Sequence, residues 1–192
     1  MLTLLARLNN GGMALNTYKM TIAGLERELT LCPLNDKVSI GAFIMFSDVE
    51  LTIACAEELL KKCDDFDIIL TAESKGIPIA YEMSRQSGKP YVVARKSIKL
   101  YMTEPLSVSV KSITTEKIQT LYLSQEKAGM LTRKKILIVD DVVSTGESFK
   151  ALGQLAESAG GEVVTYSAVL AEGDASERDD VVFLEKLPLF FK

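Results

Sequence analysis

The sequence predicts an α/β protein: a doubly wound, mainly parallel sheet with flanking helices, a mobile lid loop and a small N-terminal hood. Two stretches carry this reading. Residues 67–95 and 136–171 each run strand, turn, helical period, strand. So short a βαβ unit demands parallel pairing. Size agrees, since 192 residues that are 47% hydrophobic and 25% charged suit one well-buried globular domain.

In chain order, "MLTLLARLNNGG" starts apolar but has neither a basic n-region nor a small-residue cleavage site. Residues 1–16 are read as a tail, with Met1 or Met13 as the start, and residues 17–192 as a single domain. The hood is expected from about 17–45 together with the C-terminal end. "SDVELTIACAEELLKK" begins with a capping box, Ser47 at the N-cap and Glu50 three residues later. Val49, Ile53, Ala56 and Leu60 then share one helical face. "DIILT" at 67–71 is a short apolar run, read as a buried strand. Pro78 suits the first turn of the next helix and Gly88 its end. "YVVAR" at 91–95 is the following strand.

Segment 97–123 has no sustained helical period and its tail alternates in places, so it is expected as extended hairpin strands carrying a long mobile loop, with 99–117 suited to be the lid. "ILIV" opens the second unit. Phe149, Leu152, Ala156 and Ala159 recur at helical spacing until Gly160 and Gly161 end that helix. "EVVTYSAVLA" is rich in β-branched residues and reads as a strand.

Several function classes drop out on composition. A net charge of −4 leaves no electrostatic footprint for nucleic acid, and no apolar run nears the ~20 residues that cross a bilayer. Cys32, Cys55 and Cys63 are odd in number and form no CxxC, which fits buried thiols in a reducing cytoplasm. The chain contains no histidine. That removes the commonest general base and most zinc sites, so no resident metal site is expected.

The informative stretch is "ILIVDDVVSTGES", 136–148. In a doubly wound sheet, ligands gather at the carboxyl ends of the strands. Val143, Ser144, Thr145, Gly146, Glu147 and Ser148 bring backbone amides and hydroxyls to a helix N-terminus, which suits a phosphate dianion. Asp140 and Asp141 would repel that phosphate, but as acceptors they suit a sugar diol beside it. The ligand so described is a ribose 5-phosphate. "ILIVDD" also opens receiver domains, which need roughly a hundred further residues. Only 51 follow Asp141.

Strand, acidic pair and threonine–glycine loop together resemble the signature of the type I phosphoribosyltransferases, with Glu147 where many members carry a small residue. "TAESKGIP" at 71–78 resembles the family's pyrophosphate loop, which places Glu73, Ser74, Lys75 and Gly76 there and implies a cis Glu73–Ser74 peptide. "ARKSIKLYM" supplies Arg95 and Lys99 for the pyrophosphate tail. "AGLERELTL", "FSDVEL", "KSITT", "LAEGDA" and "LPLF" look like an adenine phosphoribosyltransferase-like branch.

The resemblance implies transfer of ribose 5-phosphate from 5-phosphoribosyl 1-pyrophosphate, with Mg²⁺ carried largely by the substrate, to a purine base, adenine first. Asp140, Asp141 and the lid residue Glu104 are the catalytic expectation; Glu116 is the other lid carboxylate. Leu25 and Arg27 align with the base-binding hood. A homodimer is implied as well. Two alternatives stay open: a hypoxanthine/guanine or xanthine transferase, and a non-catalytic regulator sensing ribose phosphate.

Overall fold

The computed structural model describes residues 16–111 and 118–191. "KSITT" after Lys111, Glu116, and the tail before residue 16 lie outside the described residues. Three strands come first: β1 (Thr17–Ile22), β2 (Leu25–Pro33) and β3 (Val38–Ala42). Ala23 and Gly24, both at positive φ, join β1 to β2 in a two-residue turn whose twist matches the strands it links. These strands and the terminal β11 (Phe190–Phe191) form an antiparallel sheet in the order β1-β2-β3-β11.

The main sheet is entirely parallel. It contains β4 (Ile68–Ala72), β5 (Tyr91–Ala94), β8 (Lys135–Val143), β9 (Glu162–Glu172) and β10 (Val182–Leu187), in the order β10-β9-β8-β4-β5. From β4 the chain moves outward one way to β5; from β8 it moves the other way to β9 and β10. Strand order therefore reverses between β4 and β8, which opens a crevice at their carboxyl ends.

Pleating divides the apolar residues of these strands between two cores. Ile68, Leu70, Ile136 and Ile138 face α4 (Glu147–Ser158), α3 (Gln125–Leu131) and the antiparallel hairpin of β6 (Leu106–Lys111) and β7 (Ile118–Leu123). Ile69, Leu137 and Val139 face α1 (Val49–Lys62), α2 (Ile77–Ser87) and residues of the small sheet such as Ile22 and Leu29. With both faces covered, β4 has no polar face, and all five of its residues are buried.

Two local expectations are corrected. The N-cap of α1 is Asp48, whose carboxylate accepts from the Leu51 N–H at 3.1 Å, while Ser47 lies outside the helix at φ 69°. An aspartate one residue on makes the same cap as the serine and adds negative charge at the helix start. The buried face of α1 is Leu51, Cys55 and Leu59 with Thr52 and Ala56; Val49 is 68% exposed and Ile53 40%. Of the expected face Ala56 is buried and Leu60 packs against the core, so with apolar residues on both sides of the helix periodicity alone placed only half of it. The second helix holds as expected, with Pro78 in its first turn and Gly88 as a left-handed C-cap.

Candidate functional site

Two turns face each other across the crevice. After β8 the chain passes Val143, Ser144 and Thr145 to Gly146, the N-cap of α4, at φ 76°. The N-cap is a glycine and makes no side-chain cap, so the start of α4 presents its backbone to the turn. Residues 142–149 and Asp140 enclose a cavity of about 40 Å³ beside it, the room of a single small anion. Glycine suits 146, because a side chain there would strain the left-handed backbone and displace the guanidinium of Arg178.

The acidic pair lies near the end of β8, followed in the strand by Val142 and Val143. Asp141 is buried, and its Oδ2 takes the Lys75 ammonium at 2.7 Å. Asp140 is partly exposed, and its Oδ1 accepts the Asp141 N–H at 2.9 Å. Burial of its carboxyl, reinforced by the Asp141 charge, pushes Asp140 up to about 7. One carboxylate is thus neutralised by a cation and the other by its surroundings, and both stay in place as acceptors.

Opposite lies the β4–α2 turn, Glu73 to Gly76, with the Glu73–Ser74 peptide cis. Glu73 gathers the cations that follow β5. Its Oε1 lies 3.2 Å from Arg95 Nη2 and 3.8 Å from Lys99 Nζ, while Oε2 accepts the Lys96 N–H at 3.1 Å. That backbone donor, helped by the Arg95 and Lys99 charges, holds Glu73 below the usual carboxylate range. Arg95 Nε is buried with no partner among the described residues. Lys75 of this turn is thus held by Asp141, while Glu73 of the same turn holds Arg95 and Lys99 from the segment after β5. Gly76 is buried, and any Cβ there would collide with Thr71 Oγ1 and sit 2.7 Å from Asp140 Oδ1.

Three expected residues stand elsewhere. Glu104 has an exposed side chain at φ 48°, and its carbonyl accepts from Gln125 Nε2 at 2.6 Å. Arg27 bonds Asp48 through Nε at 2.7 Å and Glu50 through Nη2 at 2.9 Å, which ties the small sheet to the start of α1. Leu25 packs against the core beneath that sheet. Neither Leu25 nor Arg27 lines the cavity of about 610 Å³ that adjoins Ser144 and Thr145. Its walls include Leu34, Ile40 and Leu189, with Glu172 and Arg178 as polar groups.

Sequence reasoning gave Glu172 and Arg178 no role, because nothing local marks them. Glu172 ends β9, and burial raises its carboxyl while Lys75 opposes the rise. Arg178 holds Asp180 in a fork, Nε to Oδ1 at 2.9 Å and Nη2 to Oδ2 at 2.6 Å, and rests against Gly146.

Comparison with known proteins gives the same picture. The phosphoribosyl transferase domain pattern matches residues 48–188. The adenine phosphoribosyltransferase of Agathobacter rectalis is 36% identical over 134 residues, 63% of this chain and 72% of that protein. The hypoxanthine/guanine phosphoribosyltransferase of Methanothermococcus okinawensis is 33% identical over 161 residues, 80% of this chain and 84% of that one. Among solved structures, the adenine phosphoribosyltransferase of Thermoanaerobacter pseudethanolicus shares the fold with a TM-score of 0.70 at 22% identity, covering 82% of this chain and 95% of that one. On the matched domain, and on a third of residues identical to one relative over most of both chains, this protein belongs to the phosphoribosyl transferase family.

Proposed function

We propose that the protein transfers the 5-phosphoribosyl group of 5-phosphoribosyl 1-pyrophosphate to a purine base, adenine before the oxopurines, releasing pyrophosphate. The observation that carries this reading is the pair of opposed turns, amide donors and acids on one side and three cations on the other. The ribose 5-phosphate spans them: phosphate on the α4 amides, hydroxyls toward Asp140 and Asp141, pyrophosphate toward Lys75, Arg95 and Lys99. As the C1–O bond breaks, its electron pair leaves with pyrophosphate and the sugar becomes cation-like. Fixed carboxylates stabilise that sugar, and the cations stabilise the leaving group. The base nitrogen closes the new bond at C1 and gives up its proton.

Mg²⁺ enters as part of the substrate. Its coordination is drawn largely from pyrophosphate oxygens and water. The base sits in the cavity beside Ser144 and Thr145, between Leu34, Ile40 and Leu189. Leu25 and Arg27 support it from behind by fixing the small sheet, which acts as the hood. The β6–β7 hairpin, with Glu104 before it, closes as the lid and keeps water from the activated sugar.

Adenine is placed first on the names of the Agathobacter relative and the Thermoanaerobacter neighbour, with hypoxanthine and guanine next on the Methanothermococcus relative. The setting is the cytoplasm, consistent with three free cysteines. The working unit is a homodimer paired through the exposed apolar side of α1 and α2, where Val49, Ile53 and Tyr81 border one shallow cleft. Incubation with labelled 5-phosphoribosyl 1-pyrophosphate, Mg²⁺ and each of adenine, hypoxanthine, guanine and xanthine tests the reading. AMP should form fastest. Absence of any nucleotide product would overturn it.

A further inference from the structure

Buried hydroxyl groups in this protein have partners, with one exception among the described residues. Thr52 Oγ1 donates to the Asp48 carbonyl at 2.7 Å, Thr165 Oγ1 to Asp64 at 3.3 Å, and Ser167 Oγ to the Ile138 carbonyl at 3.1 Å. Thr71 is fully buried, and its Oγ1 has no partner. An orphaned hydroxyl in the interior is costly, so its persistence calls for an explanation.

Its location supplies one. Thr71 lies in β4, one residue from that strand's carboxyl end, where the crevice begins. Its Oγ1 borders the gap left by the absent side chain of Gly76, and Asp140 Oδ1 borders the same gap. Asp140 Oδ1 already accepts the Asp141 N–H, and a carboxylate oxygen has room for a second donor. No hydrogen bond joins the two oxygens.

We propose that Thr71 is a positioning residue for Asp140: when the sugar engages the carboxylate, Thr71 Oγ1 donates to Asp140 Oδ1 across the gap at Gly76 and fixes it as an acceptor for the ribose hydroxyls. The proposal rests on the phosphoribosyl-transfer reading above. A hydrogen bond to the charged form also favours ionisation. This carboxyl needs that help, since burial and Asp141 hold it partly protonated near neutral pH. The charged groups facing Asp140 are Asp141 on its own strand and Lys75 from the β4–α2 turn, and neither is altered in the test.

Thr71→Val keeps the shape and removes the hydroxyl; Thr71→Ala is the second such variant, and Thr71→Ser restores the donor. Because the hydroxyl is unpartnered in the free protein, Thr71→Val should melt no lower than the unaltered chain. Its kcat should fall about tenfold, and the acid limb of its pH–rate profile should move upward. Thr71→Ser should return both to within about twofold of the starting values. The inference is overturned if Thr71→Val and Thr71→Ala keep the original kcat and acid limb, or if Thr71→Ser is as impaired as they are. It is also overturned if the loss of rate merely tracks a loss of melting temperature, since the role would then be structural. Turnover by the unaltered chain is the separate test of the underlying reading: with it intact, the variants decide the Thr71 assignment alone.

Discussion

The β8–α4 turn carries its donors in the backbone, whereas the β4–α2 turn and the segment after β5 carry theirs on side chains. The first sets the backbone of the α4 start, with a glycine at its N-cap, beside a cavity of about 40 Å³. The second is occupied by its own acids: Glu73 lies among Arg95, Lys99 and the Lys96 amide, and Asp141 holds Lys75. A phosphate that stays bound throughout turnover suits a preformed amide cradle. A pyrophosphate that must leave suits cations that have somewhere to return. The difference separates grip from release.

The glycines of the two turns should separate them most sharply. Gly76 has an ordinary negative φ, but a Cβ there meets Thr71 Oγ1, Asp140 Oδ1 and, at 3.2 Å, the Asp140 Cα, and the backbone cannot step aside. Overpacking of this kind costs about 1–3 kcal/mol. Gly76→Ala also displaces the carboxylate that faces the sugar, so kcat/KM should fall about a hundredfold. At Gly146 the obstacle is the end of a flexible arginine plus a left-handed backbone, worth about 1 kcal/mol. Gly146→Ala should therefore cost nearer tenfold, expressed mainly in KM for the phosphoribosyl donor. Equal losses at the two sites, in steady-state kinetics, would break the distinction.

The acidic pair gives the next largest effect, and it appears in stability. The folded carboxyl of Asp140 titrates near 7, against about 3.9 for an unfolded aspartate. Between those values the native state holds the extra proton, so stability falls as pH rises. Asp140→Asn never ionises, keeps an oxygen acceptor for the Asp141 N–H and escapes that loss. Thermal unfolding should find the variant and the unaltered chain close at pH about 4. The variant should pull ahead toward pH about 8, by roughly 2–4 °C for each kcal/mol involved. A constant gap across that range would mean that the asparagine acts by packing alone.

A smaller effect is expected at Glu73. Exposed or half-exposed ion pairs contribute about 0.2–1 kcal/mol. Glu73→Gln frees Arg95 and Lys99 from a competing anion, so calorimetry should show pyrophosphate bound about two- to fivefold more tightly. Ribose 5-phosphate affinity should not change. Weaker pyrophosphate binding would recast Glu73 as the scaffold that keeps the cations together.

The same contrast explains what the sequence could disclose. The β8–α4 turn was readable because its donors are adjacent in the chain: strand, acids, small residues and helix follow one another within thirteen positions. The cations of the other turn were readable only through family resemblance, since Lys75 follows β4 and Arg95 follows β5, twenty positions apart in the chain. Thr71 was invisible, because a threonine in "DIILT" is what any buried β-strand carries. Glu172 and Arg178 reach the phosphate loop from the far end of β9 and the turn beyond it, a contact with no local signature. Helix α1 misled for a different reason: with Val49 and Ile53 outward and Leu51, Cys55 and Leu59 inward, both faces are apolar and the period has no unique phase. The small antiparallel sheet was expected only as a region, without its strands.

The smallest predicted effect tests grip against release through salt. Lys75 is half exposed, and Arg95 and Lys99 are each about 30% exposed, so mobile ions reach the charges proposed to hold pyrophosphate. The amides of α4 carry partial charges, and most of their hold on a phosphate is short-range hydrogen bonding in a fixed geometry. Raising monovalent salt from about 0.05 to about 0.3 M shortens the screening length from over 10 Å to under 8 Å. The Kd of pyrophosphate should therefore rise about twofold more than the Kd of ribose 5-phosphate over that interval, measured at one pH and one Mg²⁺ concentration. In Glu73→Gln the pyrophosphate slope should steepen further, because the cations then face solvent without their internal counter-ion. Parallel slopes for the two ligands would show that the helix dipole and the side-chain cations act as one field, and the division of labour between the turns would fail on its own terms.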